Sequence, residues 1–216
     1  MASEARSDAD KARDKNRKPI ETLEFFQLSE DMRVVELLPG GGWYTTLLAP
    51  VLRERGELFV AVGTGRVEQK LLKQPGFDKV EVLAQNTKIE RGEGGYMMES
   101  LNLGVKRADL VLTFRNLHNF NADTRKIMNE AAFTALKRGG MYGVVDHTRR
   151  HMQKDDPENG RRLDPVLAIK EIQEAGFELV DFSDLHYRLD DELRYEVGRR
   201  SVSGNTDRFT LLFKKP

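Results

Sequence analysis

Glu36, Gly40, Gly41 and Gly42 are the residues of this chain whose types and spacing point most directly to chemistry. They lie in Val34-Val35-Glu36-Leu37-Leu38-Pro39-Gly40-Gly41-Gly42-Trp43-Tyr44-Thr45, where an apolar run ends in a carboxylate and passes through three glycines into a helix-compatible stretch. The order reads as strand, tight loop, helix. Glycines at such a turn leave the main chain bare, so an adenosine or a phosphate can approach it without meeting a Cβ. A tight turn without a ligand carries the same local sequence, and loop N–H groups alone can satisfy Glu36.

Other polar residues follow apolar runs directly: Gly63-Thr64, Asn86-Thr87, Arg115-Asn116-Leu117-His118-Asn119 and Asp146-His147. Polar groups in such places either line a pocket or tie a network together. Arg115 suits a carboxylate, of a cofactor or of a substrate, and Asn116 a positioning role. His118 and His147 are candidate bases near neutral pH. Asp146 can orient an imidazole, but adjacent strand residues point to opposite faces, so one of Asp146 and His147 reads as structural. His147 and His151 have metal-ligand spacing, yet Thr148 follows His147 where a zinc-protease pattern has glutamate, so no metal site is expected. Trp43 and Tyr44 either wall the pocket or pack against the amino-terminal helix.

The loop discriminates between cofactors. A dinucleotide site calls for G-x-G-x-x-G and an acid about 20 residues on. Here Thr45 replaces the third glycine, and the next apolar run, Leu58-Phe59-Val60-Ala61-Val62, ends at Gly63-Thr64 without an acid. An acid just before the glycines, as at Glu36, instead favours the methyl donor S-adenosylmethionine (SAM) over NAD.

These residues need a scaffold, and the chain alternates strand and helix patterns, which predicts a mainly parallel sheet covered on both faces. Strands are expected at 33–37, 58–62, 80–83, 108–114, 141–145, 177–182 and 209–213. Helices are expected over 6–18, in a short stretch with Leu23, Phe25 and Phe26 as its apolar face, over 43–55, 66–73, 123–136 and 166–175. In the helix over 43–55, Leu47, Leu48, Val51 and Leu52 point inward and Pro50 is a place for a kink. Gly139-Gly140 and Gly176 act as stop signals. Residues 86–104 read as loop, and 183–206 as a charged surface insertion, a lid or a dimer contact. The organisation predicted is an amino-terminal helical cap over 1–30 and a Rossmann-like domain over 31–216. Ligands of open sheets sit outside the carboxyl ends of the strands, which is where the polar residues above fall.

With 216 residues the chain can bury a sizeable core. Lys+Arg and Asp+Glu balance at 35 each, so no global field favours nucleic acid or an anionic membrane. There is no cysteine, hence no disulfide or thiolate metal site. No apolar run reaches membrane-spanning length, and residues 1–18 are too charged for a signal peptide. The expectation is a soluble cytoplasmic protein; a periplasmic protein whose signal had been replaced by Met1-Ala2 has the same composition.

The chain resembles a bacterial family of class I SAM-dependent methyltransferase-like proteins. The matching pieces are Arg13-Asp14-x-x-Arg17-Lys18-Pro19, Pro39-Gly40-Gly41-Gly42-Trp43-Tyr44-Thr45, Thr113-Phe114-Arg115-Asn116-x-His118-Asn119, Ala135-Leu136-Lys137-x-Gly139-Gly140, Val144-Val145-Asp146-His147 and Thr206-Asp207-Arg208-Phe209-Thr210-Leu211. The resemblance implies a seven-stranded Rossmann-like class I methyltransferase fold with SAM as cofactor, and an amino-terminal lid carrying Arg13, Asp14, Arg17 and Lys18. On that reading Glu36, Pro39, Gly40, Gly41, Gly42, Tyr44, Thr45, Gly63, Thr64, Asn86 and Arg115 bind the cofactor. The chain departs from the wider superfamily in three places: Leu38 replaces the first loop glycine, Gly63-Thr64 the acid that grips the ribose, and Asn86 an aspartate near the adenine. The function expected is methyl transfer to a small molecule, with His118 or His147 removing a proton and a homodimer as a possible assembly. The alternative is a ligand-binding protein that keeps the fold and performs no transfer.

Overall fold

In β1 (Arg33–Leu37), Val34 and Glu36 point to one face and Val35 and Leu37 to the other, and all four are buried. In the computed structural model, which describes residues 6–84, 87–154 and 156–216, this strand is central in a seven-stranded sheet. The other strands are β2 (Glu57–Ala61), β3 (Val80–Val82), β4 (Ala108–Phe114), β5 (Leu136–His147), β6 (Glu178–Ser183) and β7 (Arg208–Lys214). Their order is β3-β2-β1-β4-β5-β7-β6. The first five are parallel, and β7 runs antiparallel to both β5 and β6.

Among the described residues the α-helices beside the sheet are α1 (Asp8–Lys11), α2 (Asp14–Arg17), α3 (Pro19–Phe25), α4 (Thr45–Leu52), α5 (Gly65–Lys70), α6 (Ala122–Ala135) and α7 (Pro165–Glu174). On one face Val34, Leu110 and Leu112 pack with Phe26, Leu48, Leu52 and Val67. On the other, Val35, Leu37 and Val111 pack with Met128, Ala132, Ile172 and Phe177. Burial on both faces is why β4 is an almost unbroken apolar run. Full burial of a side chain such as Phe26 or Met128 stabilises the fold by about 1.5–3 kcal/mol. Phe26 packs closely against Gly143 of β5, where a Cβ would meet its ring carbons at 2.8 Å.

The amino-terminal helices are fastened by the far end of the chain. The carbonyl of Asn16 accepts from Arg208 Nη1 at 3.0 Å and Arg188 Nη2 at 3.3 Å. The carbonyl of Arg17 accepts from the Thr22 hydroxyl at 3.0 Å and His186 Nε2 at 2.9 Å. α2 then ends at Lys18, in the left-handed region at φ 39°, and Pro19 opens α3 at its first position, where a missing N–H is harmless.

The structure departs from the sequence expectations in several places. The polar stretch over 6–18 forms two single turns, α1 and α2, rather than one helix. Residues 86–104 are not all loop: Glu90–Gly92 and Gly95–Met97 form an antiparallel hairpin, with Gly94 and Gly95 at positive φ making the turn. α4 is shorter than 43–55, continues through Pro50 to Leu52, and leaves Val51 facing solvent. α6 is not stopped by Gly139-Gly140; it ends at Ala135 when Leu136 turns to extended backbone, and β5 therefore begins five residues before Met141. The glycine pair lies inside that strand, where Gly139 N–H and the Gly140 carbonyl bond to Lys215. Residues 183–206 lie largely at the surface, as expected, but are anchored by the buried side chains of His186, Asp191, Val197 and Val202. The one buried charge among them is paired: Arg162 grips Asp191 through both guanidinium nitrogens at 2.9 and 3.0 Å, with both side chains buried.

Among the described residues, no helix is long and apolar enough to cross a membrane.

Candidate active site

Strands β1, β2 and β4 all leave the sheet through a non-glycine residue in the left-handed region: Leu38 at φ 52°, Val62 at φ 65° and Arg115 at φ 62°. Such residues cost of order 1–3 kcal/mol each and persist where the surroundings fix them, commonly at functional sites. Between the exits of β1 and β4 and α1–α2 lies a cleft of about 320 Å³, lined by Glu36, Leu38, Gly40, Gly41, Tyr44, Arg13, Arg17 and Arg115 among others. This volume is at the lower end for a small-molecule site.

Glu36 forms the floor. Its side chain is only 2% exposed, and its Oε2 accepts from the Thr45 hydroxyl at 2.6 Å. Burial pushes the carboxyl up to about 7, against the Thr45 hydrogen bond, which pulls it down. Gly40 and Gly41 are exposed, and a Cβ on either would find nothing within 4 Å, so the space above the loop is open. Gly42 is different: at φ 83° its Cβ would sit 2.6 Å from Leu71 Cδ2. All three glycines line the cleft; Gly40 and Gly41 open onto free space, and Gly42 also allows the loop to pack against the Val67–Leu71 segment.

The walls are aromatic and cationic. Tyr44 stacks on Phe114 with ring centroids 3.5 Å apart at 9°. Trp43 meets Tyr44 edge-on and donates its Nε1–H to the carbonyl of Asp10 at 3.1 Å. Trp43 therefore packs on the amino-terminal helices and, like Tyr44, also lines the cleft, so both alternatives hold. The guanidinium of Arg17 lies 4.2 Å from the Trp43 ring centroid, a cation–π contact that holds α2 over the glycine loop. Asn116 works beneath the surface: its Nδ2 donates to the carbonyls of Leu37 and Leu38, at 3.2 and 3.4 Å, and to the Thr113 hydroxyl at 3.1 Å. It clamps the exit of β1 to that of β4.

His118, Asp146 and His147 come together beside this cleft. Asp146 is fully buried; its Oδ1 accepts from His118 Nδ1 and from the His147 backbone N–H at 2.7 Å, and its Oδ2 from the His118 backbone N–H at 3.2 Å. A carboxylate only accepts, so the His118 proton sits on Nδ1 and Nε2 is the basic nitrogen. The His147 ring meets the His118 ring edge-on, with centroids 5.2 Å apart, and its Nδ1 bonds the Thr206 hydroxyl at 2.8 Å. Burial first, then His118 and Arg208, hold His147 far below the ordinary histidine range, so it stays neutral. His118 itself lines a second, wider hollow with Tyr96, Asn119 and Arg161. Arg115 lines the first cleft and not this hollow, and the charge of Asp146 is felt by it.

The remaining sequence candidates are more dispersed. Pro39 and Thr45 belong to the loop and the floor. Gly63 continues the left-handed exit of β2 at φ 64°, and the Thr64 hydroxyl donates to Glu68 one helical turn on. Asn86 lies outside the described residues. His151 pairs with Asp164 at 2.9 Å, away from His147. Sequence reasoning assigned no role to Arg208 or His186, which hold α2 from behind; their separation in sequence from residues 16–17 hides the contact.

No protein-family model matches the chain, and no curated protein does. Solved structures do. A SAM-dependent methyltransferase from Aquifex aeolicus superposes with a TM-score of 0.64 at 16% identity, covering 95% of this chain and 93% of its own. A TehB-like SAM-dependent methyltransferase from Corynebacterium glutamicum gives 0.55 at 10% identity, with coverages of 94% and 88%. The cyclase SpnF gives 0.62 at 14% identity, with coverages of 93% and 80%. The chain has the Rossmann-like class I methyltransferase fold. Because that fold also carries a protein named as a cyclase, activity has to be argued from the site.

Proposed function

We propose that this protein is a SAM-dependent methyltransferase acting on a small molecule. The observation that carries the reading is Glu36, a buried carboxyl on the floor of a cleft at the end of β1, directly beneath two glycines with open space above them. Those residues fit the cofactor: the open backbone admits a nucleoside, and Glu36 offers acceptor oxygens to amine or hydroxyl groups. Tyr44 and Phe114 supply an apolar wall. When bound, the cofactor supplies a methyl group made electrophilic by its sulfonium.

The chain's own residues have the remaining tasks of binding, aligning and excluding water. α2, pinned by Arg17 on Trp43, roofs the glycine loop. Arg115 offers a guanidinium to a carboxylate. His118 is the base: Asp146 fixes its tautomer and leaves Nε2 to take a proton from an acceptor hydroxyl or amine. His147, held neutral by burial, shapes the wall beside it, and Asn116 holds the two strand exits in register.

Calorimetric titration of the full chain with SAM, S-adenosylhomocysteine and NAD tests this reading. Micromolar binding of both adenosyl sulfur compounds with none for NAD is the expected result. Folded protein that binds neither sulfur compound overturns it.

A further inference from the structure

The buried arginines of this protein are, in general, paired. Arg6 is matched by Asp14, Arg125 by Glu171 and Arg162 by Asp191. The exception is at the cleft. Arg17 is 3% exposed, makes no side-chain hydrogen bond or ion pair among the described residues, and its Nη2 is buried without a partner. Arg115, half-buried, and Arg13, exposed at the rim, line the same cleft and are also without a carboxylate partner among the described residues. Arg208, buried behind Arg17, donates Nη1 to the Asn16 carbonyl but leaves its Nε unpartnered. Lys70 lines the cleft as well.

Two acids share this cleft, and neither pairs with the cluster; Asp146, which Arg115 feels from beyond the lining, is taken up by His118 and the His147 N–H. Asp10 is engaged in the α1 cap, accepting from the Ser7 hydroxyl at 2.7 Å. Glu36 is bonded to Thr45 and partly protonated near neutral pH. Burying like charges without counter-charge is expensive, and a fold that pairs its other buried arginines shows that the pairing is available to it. The deficit is aimed at the opening.

We propose that Arg17 and Arg115, supported by Arg13 and Arg208, form an oxyanion site for an acidic ligand bearing a carboxylate or phosphate. Taken with the methyltransferase reading, on which this part rests, the acidic ligand is the methyl acceptor. The cofactor alone does not neutralise the cluster, since its one carboxylate comes with an ammonium and a sulfonium. It adds net positive charge to a cleft that already has an excess. An acceptor carrying negative charge balances both, and the planar guanidinium forks suit its oxygens.

The test is thermal unfolding and calorimetry of the full chain with inorganic phosphate and, separately, malonate, each against chloride at matched ionic strength. Saturable stabilisation by either anion, weakened tenfold or more in Arg115→Gln and in Arg17→Lys, supports the site, and the stronger anion gives the ligand class. Arg17→Lys keeps the charge and removes the fork, so loss there reports geometry. The absence of stabilisation beyond chloride in the wild type overturns the proposal without recourse to any variant. Equal anion binding in wild type and both variants also overturns it. Repeating the titration with saturating S-adenosylhomocysteine separates the two ligands. Simultaneous binding assigns the site to the acceptor, and mutual exclusion assigns it to the cofactor's carboxylate and overturns the acceptor assignment. Anion binding by a chain that takes no adenosyl compound keeps the oxyanion site and overturns the methyltransferase reading instead.

Discussion

His118 Nδ1 is hydrogen-bonded to Asp146 across the ends of two adjacent parallel strands, which sets the imidazole's tautomer by the fold rather than by a ligand. Asp146→Ala removes the acceptor that holds the proton on Nδ1, and an imidazole without it prefers its proton on Nε2. Heteronuclear NMR of the imidazole nitrogens is expected to show the Nδ1–H form in the wild type and the Nε2–H form in the variant. With an acceptor in hand, turnover falls by about 10²–10⁴-fold while SAM affinity is retained. An unchanged tautomer removes Asp146 from the role given to it.

Gly41 and Gly42 separate ligand approach from loop packing. Gly41→Ala meets no atom within 4 Å and needs no left-handed backbone, so stability stays within about 0.5 kcal/mol. SAM affinity is nevertheless expected to drop at least about tenfold, or 1.4 kcal/mol. Gly42→Ala, at φ 83° and against Leu71, is expected to destabilise by about 1–3 kcal/mol in urea unfolding. Full SAM affinity in Gly41→Ala would place the cofactor elsewhere.

Glu36 gives a pH signature with a definite sign. Its folded pKa, about 7, is raised above the ordinary value of 4.5, so the folded state holds the extra proton between those values. The stability it contributes is complete below pH 4.5 and lost as pH rises through 7. Glu36→Gln is therefore expected to be more stable than the wild type at pH 8, by on the order of 3 kcal/mol at most. SAM affinity of the wild type rises as pH approaches and passes 7, where the carboxylate forms, and this rise disappears in the variant. Chemical denaturation and calorimetry across pH 5–8 read both effects.

His186 acts in the opposite sense. Its Nε2 donates to the Arg17 carbonyl and its Nδ1 accepts from Thr210, and burial lowers its pKa to about 4, against an ordinary 6.5. Between those values the unfolded chain binds more protons, so stability rises with pH through that window and is lost on acidification. Buried, neutral His147 adds to the same trend. Glu36 opposes it, so the loss of stability from pH 6.5 to 5 is expected to be steeper in Glu36→Gln than in the wild type. A denaturation series that is flat in Glu36→Gln would contradict the assignment of both histidines as neutral.

Arg162 and Asp191 form the buried pair that holds the 183–206 stretch inward. Removing one charge by Asp191→Ala leaves the other stranded and is expected to destabilise by about 3–5 kcal/mol. The double change Arg162→Met with Asp191→Leu is expected to recover most of that loss. A double variant no better than the single one would show that the backbone bonds made by these groups, such as Arg162 Nε to the Tyr195 carbonyl at 2.8 Å, are the larger contribution.

The central sheet was legible in the sequence because burial on both faces writes a continuous apolar run, as in β1 and β4, whose ends were read without error. The glycine loop and Glu36 were legible for the same reason: they interrupt such a run. The hairpin at 90–97 was not, because Glu90-Arg91-Gly92 is exposed and shows no alternation to read. The 183–206 stretch reads as surface and mostly is, but its buried anchor, the pairing of Arg162 with Asp191, cannot be seen in composition. Arg17 read as part of a solvated face or lid, and only the fold brings it onto Trp43 and next to Arg115 and Arg208.

The carbonyls of Asn16 and Arg17 find their partners in Arg188, Arg208 and His186, which has a consequence for synthesis. α2 is synthesised well before the groups that secure it, which lie 169 to 192 residues further on. Contacts of such long sequence separation form late, after the entropy of closing the intervening chain has been met. The roof of the cleft is thus fastened after the sheet it rests on has closed. A chain interrupted before β7 would have its glycine loop coded in full and its arginine-bearing roof unfastened, so competence to hold a ligand would wait on β7.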